Sequence, residues 1–204
     1  MGFKEFLFKS IIKIFHVEVI HPEKEPSPGV LLCANHISNL DPVLIVCSLK
    51  NETKFMAKKE LFKIPIVSSV IKMFGAFPVD RGNVDLNAMK KAITLLEDGN
   101  TVGMFPQGTR RPGLDPRNTK VKSGAGMIVT RSHTDILPVA IITKNNKCRL
   151  FNKKYIVLGD LIKYTDLNNV EKSREEFDRI SAVIFGKICD LYDEYSYLVE
   201  NEKK

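Results

Sequence analysis

The chain has 204 residues, of which 44% are hydrophobic and 27% are charged, as is typical of one globular domain. This composition excludes a disordered chain, and the absence of a long internal repeat argues against a solenoid. The net charge is +7, and residues 50–124 carry all of the excess, with 14 basic and 7 acidic side chains. This basic segment predicts an anionic partner, but charge alone does not choose among phosphate, anionic lipid, acidic protein and nucleic acid.

The first predicted element is an amphipathic helix over residues 2–16, with lysines between its apolar side chains. Its apolar stripe consists of Phe3, Phe6, Leu7, Ile11, Ile14 and Phe15, and Phe8 and Ile12 widen it. Such a helix suits the surface of an anionic membrane, although packing on the protein's own core explains the stripe as well. No apolar run approaches the roughly 20 residues of a membrane span. We expect residues 1–18 to form a membrane-association helix and residues 19–204 to form one folded domain.

Short apolar runs then alternate with helical patterns. Strands are predicted at residues 30–34, 54–57, 77–82, 101–105 and 136–142, with one or two more within 149–162. Helices are predicted from Asp41, over 64–74, from Asp85 to Gly99, over 123–132 and from Ser173 onward. The alternation predicts a single-domain α/β fold with a mixed, mostly parallel sheet flanked by helices.

Three of these helices have recognisable starts. Asp41 before Pro42, Asp85, and Ser173 with Glu176 three residues later are predicted N-caps. The predicted core face of the last helix consists of Ile180, Val183, Ile184, Ile188, Leu191 and Tyr195.

The four cysteines have no spacing that suits a metal site. Cys33, Cys47, Cys148 and Cys189 all lie in apolar surroundings, and none forms a CxxC pair. This pattern predicts buried free thiols in a reducing compartment and argues against a zinc site.

His36 and Asp41 are the strongest candidates for catalysis. They follow a predicted strand and precede a helix, a position where ligands gather in open α/β sheets. A neutral imidazole can take a proton from a hydroxyl, and a carboxylate on its other nitrogen fixes the tautomer. On spacing alone, a polar loop with a capping aspartate and an incidental histidine is the simpler interpretation. Because no GxSxG nucleophile motif occurs, the nucleophile would belong to the substrate.

Cations follow three other predicted strands. In FPQGTR, Gly108 permits close backbone approach, Thr109 offers a hydroxyl, and Arg110 can grip a phosphate through two hydrogen bonds. Arg81 and Lys58 have similar positions at strand ends. These cations are expected to converge on one anion, whereas a surface turn with a solvated arginine is the alternative for FPQGTR.

Four segments in order resemble the sequence blocks of the glycerolipid acyltransferases of the 1-acylglycerol-3-phosphate acyltransferase type. The segments are NHISNLD, GAFPVDRG, FPQGTR and ILPVAI. The matching positions are Asn35, His36, Asp41, Gly75, Phe77, Asp80, Arg81 and Pro138. The resemblance extends over roughly residues 15–165, and the four ordered blocks together are highly specific.

This resemblance implies that an acyl chain passes from acyl-acyl-carrier protein or acyl-coenzyme A to the free hydroxyl of lysophosphatidic acid, giving phosphatidic acid. His36 would be the general base, oriented by Asp41. Arg81 and Arg110, with Lys58 nearby, would bind the substrate phosphate. No metal or redox cofactor is expected. The enzyme would be a peripheral membrane protein on the cytoplasmic face of an anionic membrane.

Position 107 departs from the family pattern, which usually reads FPEGTR. Gln107 keeps the length and one acceptor oxygen of a glutamate but lacks its charge, so it is unsuited to acid–base chemistry. We expect Gln107, like Gly108 and Thr109, to belong to the substrate-binding set.

Three alternatives remain open at this stage. In the first, the acceptor is glycerol 3-phosphate or another lysophospholipid, with the same His36–Asp41 pair. A non-catalytic membrane or nucleic-acid binding protein fits the charge, but the basic residues form no known nucleic-acid motif. A family member that binds lipid without turnover is motivated by Gln107 alone.

Overall fold

The computed structural model describes residues 3–80, 85–168 and 171–200. Within them, seven strands form one sheet. The strands are β1 (Val17–Ile20), β2 (Leu31–Ala34), β3 (Thr53–Lys58), β4 (Phe77–Val79), β5 (Thr101–Met104), β6 (Ile136–Thr143) and β7 (Lys154–Leu158). The α-helices are α1 (Phe3–Ile14), α2 (Asp41–Ser48), α3 (Pro65–Met73), α4 (Leu86–Glu97), α5 (Gly124–Ser132), α6 (Arg174–Tyr195) and α7 (Tyr197–Glu200).

The strand order is β1-β7-β6-β2-β5-β3-β4, and every neighbouring pair is parallel except β6 and β7. This arrangement confirms the predicted α/β fold with a mixed, mostly parallel sheet. β1 was not expected, because residues 17–20 form a short edge strand in which no side chain is fully buried.

Helices cover both faces of the sheet. The side chains of β2 alternate between the two apolar cores, with Leu31 and Cys33 on one face and Leu32 and Ala34 on the other. The first core is closed by α4, α5 and α6, and the second by α1, α2 and Phe74. Because β2 is buried on both faces, the chain that leaves it has a rigid support.

The apolar stripe of α1 divides between protein and solvent. Phe8, Ile11 and Phe15 pack on the second core, whereas Phe6 and Ile14 are exposed. Within the described ranges, each helix is too short or too polar to span a bilayer.

Two details differ from the expectation. Asp41 is the first residue of α2 rather than its cap, because its carboxylate turns back toward the preceding loop. Val183 is exposed rather than part of the core face of α6. The predicted caps of α4 and α6 are confirmed, since Asp85 accepts from Ala88 N–H and Ser173 accepts from Glu176 N–H.

Candidate active site

The loop between β2 and α2 carries the His36–Asp41 pair. Asn35 is the first residue after β2, and its side chain makes hydrogen bonds to β6 in place of the backbone. Its amide donates to the Ile141 carbonyl at 2.9 Å and accepts from the Ile141 N–H at 2.7 Å. This pairing continues the contact between β2 and β6 by one residue, so the loop leaves the sheet in a fixed direction.

The two catalytic candidates are in direct contact. His36 Nδ1 lies 2.8 Å from Asp41 Oδ2, and both side chains are buried. The same carboxylate oxygen also accepts from the N–H groups of Ile37 and Ser38, both at 2.7 Å. Because an ionised carboxylate only accepts hydrogen bonds, Nδ1 of a neutral His36 carries the proton and Nε2 presents its lone pair. This is the tautomer that a general base requires.

Residues after β5 hold His36 in place. The Gln107 side-chain oxygen accepts from His36 N–H at 2.6 Å, and the Arg111 N–H donates to the His36 carbonyl at 2.7 Å. The ring of Phe105 stacks on the imidazole, with centroids 3.9 Å apart and planes 11° from parallel. Both main-chain polar groups and one ring face of His36 are therefore fixed by the segment that contains FPQGTR.

A glycine makes room for this stack. Gly103 on β5 pairs with Phe55 on β3, and a Cβ at position 103 would lie 2.3 Å from the Phe55 ring. Phe55 in turn stacks on Phe105 with centroids 5.4 Å apart. Because Gly103 has no side chain, Phe55 has room to support Phe105, and Phe105 in turn supports the His36 ring.

His36 faces a cavity of about 520 Å³ at the carboxyl ends of the parallel strands. Much of its wall is methionine, a flexible and polarisable side chain that adapts to irregular apolar ligands. The methionines are Met56, Met89, Met104 and Met127. Polar groups at the cavity include Lys122, Ser123, Asp80 and Asp85. The cavity thus combines an apolar wall with a charged region beside a potential base.

The predicted site residues occupy different positions around the cavity. His36 and Gly108 line it, and Asp41 lies behind His36. Gln107, only 2% exposed, is outside the lining and donates its amide hydrogen to Thr119 Oγ1 at 2.7 Å. Lys58, Thr109 and Arg110 are exposed and outside the lining. Arg81 lies outside the described residues.

Several cavity residues were not foreseen from the sequence. Lys122 contributes a cation next to Gly108, where a Cβ would approach its Cδ to 2.8 Å. Asp85 is held by the N–H groups of Asp80 and Ala88, and these hydrogen bonds lower its pKa. Asp85 is therefore an ionised cap that ties residue 80 to the start of α4. Among the described residues, no three His, Cys, Asp or Glu side chains form a group that would hold a metal.

Comparisons with known proteins identify the family. A 28% identical 1-acyl-sn-glycerol-3-phosphate acyltransferase from Bacillus subtilis aligns over 89% of this chain and 91% of its own length. Proteins of the same name from Borreliella burgdorferi and Streptococcus pneumoniae are 32% and 38% identical over 71% and 85% of this chain. The alignments span 60% and 64% of those two longer relatives.

A solved structure agrees with this relationship. The crystal structure of the 1-acyl-sn-glycerophosphate (LPA) acyltransferase PlsC from Thermotoga maritima matches with a TM-score of 0.66 and 25% sequence identity. The match covers 94% of this chain and 80% of that one. The Acyltransferase family model matches residues 16–142, well over half of the chain. The resemblance drawn from the four motifs is confirmed, and the chain belongs to the Acyltransferase family.

Proposed function

We propose that this protein transfers an acyl chain from a thioester to the free hydroxyl of lysophosphatidic acid, giving phosphatidic acid. The observation that carries the proposal is the buried His36–Asp41 pair, whose histidine lines a cavity with both apolar and charged side chains. The names of the relatives support lysophosphatidic acid as the acceptor. The donor is acyl-acyl-carrier protein or acyl-coenzyme A.

In this mechanism His36 is the general base. Nε2 accepts the proton of the acceptor hydroxyl while the hydroxyl oxygen attacks the thioester carbonyl. Asp41 stabilises the imidazolium that forms. The tetrahedral intermediate collapses, the carbon–sulfur bond breaks, and the imidazolium returns its proton to the leaving thiolate. The net products are an ester and a free thiol, and no step requires a metal or a redox cofactor.

The cavity suggests how the substrates are arranged. An acyl chain occupies the methionine-lined wall, where burial of each methylene contributes about 0.8 kcal/mol. The acceptor phosphate binds cations of the basic segment at residues 50–124. Lys122 joins Lys58, Arg81 and Arg110 in this proposed set, because it is the lysine that lines the cavity beside Gly108. Thr109 remains a proposed neighbour of the phosphate.

Gln107 is assigned a positioning role in this proposal. Both ends of its amide bond to the protein, to His36 N–H and to Thr119 Oγ1. A neutral amide therefore supports the His36 loop without contact to substrate. Because the His36–Asp41 pair is complete beside it, the change from the usual glutamate is compatible with turnover.

We further propose that the protein acts at the cytoplasmic face of an anionic membrane, as a peripheral protein. The exposed Phe6 and Ile14 of α1, next to Lys9 and Lys13, support this placement. The division into a membrane-association helix at residues 1–18 and an acyltransferase domain at residues 19–204 belongs to the same proposal.

Thiol release with defined acceptors tests the reaction. Purified protein is given acyl-acyl-carrier protein or acyl-coenzyme A, with lysophosphatidic acid, glycerol 3-phosphate or lysophosphatidylcholine. We expect release that requires lysophosphatidic acid, with phosphatidic acid as the product. Equal or faster release with glycerol 3-phosphate or with the zwitterionic lysophosphatidylcholine would replace the proposed acceptor. No release with any pair, from a protein that unfolds cooperatively in urea, would contradict transfer altogether.

A further inference from the structure

The turn before β7 has an unusually exposed apolar tip. Phe151 is 84% exposed, the highest value among the exposed large apolar side chains of the described residues, and Leu150 beside it is 43% exposed. Arg149 and Lys153 flank the pair. An exposed aromatic between cations is costly in water and matches a surface that is apolar below an anionic layer.

A buried lysine joins this tip to the end of α1. Lys154 is fully buried, and its ammonium donates to the carbonyls of Arg149 at 2.6 Å and Phe15 at 2.9 Å. It also donates to the carbonyl of Asn152. One cation therefore ties the turn to Phe15, the residue that follows the exposed Ile14 at the end of α1.

The sheet places this turn at the same edge as the catalytic pair. β6 runs parallel to β2, and its last residue, Thr143, pairs with Lys154 at the start of β7. Val17 at the start of β1 also pairs with Lys154. The turn and the end of α1 thus lie at the carboxyl edge of the sheet, where His36 follows β2. Cys148, just before the turn, interacts with Ser38 of the catalytic loop.

A second exposed apolar segment lies at the other end of this edge. Residues 59–64 follow β3, and their Leu61 and Ile64 are exposed next to Lys59 and Lys63. Since β3 and β7 lie on opposite sides of β2 in the sheet, apolar and basic groups flank the catalytic loop on both sides. This distribution suits a planar anionic surface better than a small docking partner.

We propose that the 149–153 turn is a second membrane contact, which inserts Leu150 and Phe151 into an anionic bilayer beside the end of α1. The hydrogen bonds of Lys154 hold these two membrane contacts in a fixed arrangement. The carboxyl ends of the parallel strands, with His36, then face the lipid. The contact adds to the one proposed above for α1, and its optical test is independent of turnover.

The chain contains no tryptophan, so a single one can report on this turn. Phe151→Trp is compared with Val183→Trp. Val183 is an exposed residue of α6, a helix that packs on one face of the sheet, away from the carboxyl ends of its strands. Both are mixed with vesicles of phosphatidylcholine, with and without phosphatidylglycerol. We expect a blue shift of the Phe151→Trp emission that is largest with phosphatidylglycerol, and no shift for Val183→Trp.

Sedimentation with the same vesicles gives the magnitude. Phe151→Ser is expected to lower partitioning into the vesicles roughly tenfold or more, because the phenylalanine side chain is no longer buried in the bilayer. Val183→Ser is expected to leave partitioning unchanged. Turnover of a short-chain acceptor below its micelle concentration should not differ between the two variants.

Three results would overturn the proposal. The first is an unshifted emission of Phe151→Trp while the protein sediments with the vesicles, and the second is an equal shift at both positions. The third is a shift of the Phe151→Trp emission with acidic carrier protein but not with vesicles, which would assign the turn to protein docking. None of these depends on whether lysophosphatidic acid is the acceptor, so the proposed reaction is judged separately.

Discussion

Gln107 shows how a neutral amide can stand in place of the usual glutamate while the support of His36 is kept. The His36 N–H needs an acceptor because it is buried, and the amide oxygen supplies one. The amide hydrogen then requires an acceptor of its own, which is Thr119 Oγ1, and that hydroxyl donates to the Pro116 carbonyl. A carboxylate at position 107 could accept the hydrogen bond from His36 N–H, but it could not donate one to Thr119 Oγ1.

This network predicts different results for two substitutions of Gln107. In Gln107→Glu the carboxylate still accepts from His36 N–H, so activity is retained. The added negative charge favours the protonated, inactive imidazole, so the acidic limb of the kcat/KM profile moves to higher pH. In Gln107→Ala the buried N–H loses its partner, at a cost of about 1–3 kcal/mol, and kcat falls. Profiles that coincide for wild type and Gln107→Glu would contradict this account.

Gly124 tests the assignment of the apolar wall. A Cβ at this position would lie 3.1 Å from Cε of Met89 and 3.6 Å from Cε of Met104. Gly124→Val therefore narrows the cavity, and we expect kcat/KM for long acyl chains to fall about tenfold or more relative to short ones. Competition between donors of different chain length measures the ratio. An unchanged ratio would place the acyl chain elsewhere.

At the scale of elements, the sequence predicts most of the architecture because strands and helices alternate with clear apolar patterns. The caps of α4 and α6 were found from Asp85 and Ser173, since capping is local. β1 was missed because its four residues are too few to establish a period, and its pairing partner lies more than a hundred residues away. Val183 shows that a helical stripe can be wider than the face that packs.

The close packing of α5 on α6 leads to a prediction about stability. A Cβ on Gly126 would lie 2.0 Å from the Phe177 carbonyl oxygen, so Gly126→Ala must push the helices apart. We expect a loss of about 1–3 kcal/mol in the free energy of unfolding, measured by urea denaturation. Gly186→Ala is the control, because its Cβ meets no atom within 4 Å. It should gain about 0.5–1 kcal/mol. Equal midpoints for the two variants would contradict the packing argument.

The site was predicted only in part. His36 and Asp41 were found because five residues across a strand–helix loop bring them together. The cavity wall was not, because its four methionines come from β3, α4, β5 and α5 and have no common sequence pattern. Lys122 was missed for a similar reason, since only the folded chain brings it beside Gly108. Such convergence is a property of the tertiary structure.

For the whole molecule, the four cysteines are free, as predicted, but of the four only Cys33 is fully buried, whereas Cys47, Cys148 and Cys189 are half-buried. Burial raises the pKa of Cys47 to about 12 and of Cys189 to about 11, and it also raises the pKa of Cys33 and Cys148. Because the thiolate is the reactive form, iodoacetamide should label the native protein at least about tenfold more slowly than the urea-unfolded protein at pH 8. Native activity should survive the reagent, whereas rapid inactivation would indicate a cysteine nucleophile.

The central claim is that His36 is the base for acyl transfer, and one matched pair of variants tests it most directly. His36→Asn and His133→Asn make the same replacement, but His133 lies at the end of α5 with a positive φ that asparagine tolerates. With wild type as reference, thiol release is measured with lysophosphatidic acid and the better donor. We predict a loss of about 10²–10⁴-fold in kcat for His36→Asn and near wild-type turnover for His133→Asn. A folded His36→Asn variant with near wild-type turnover would contradict the account.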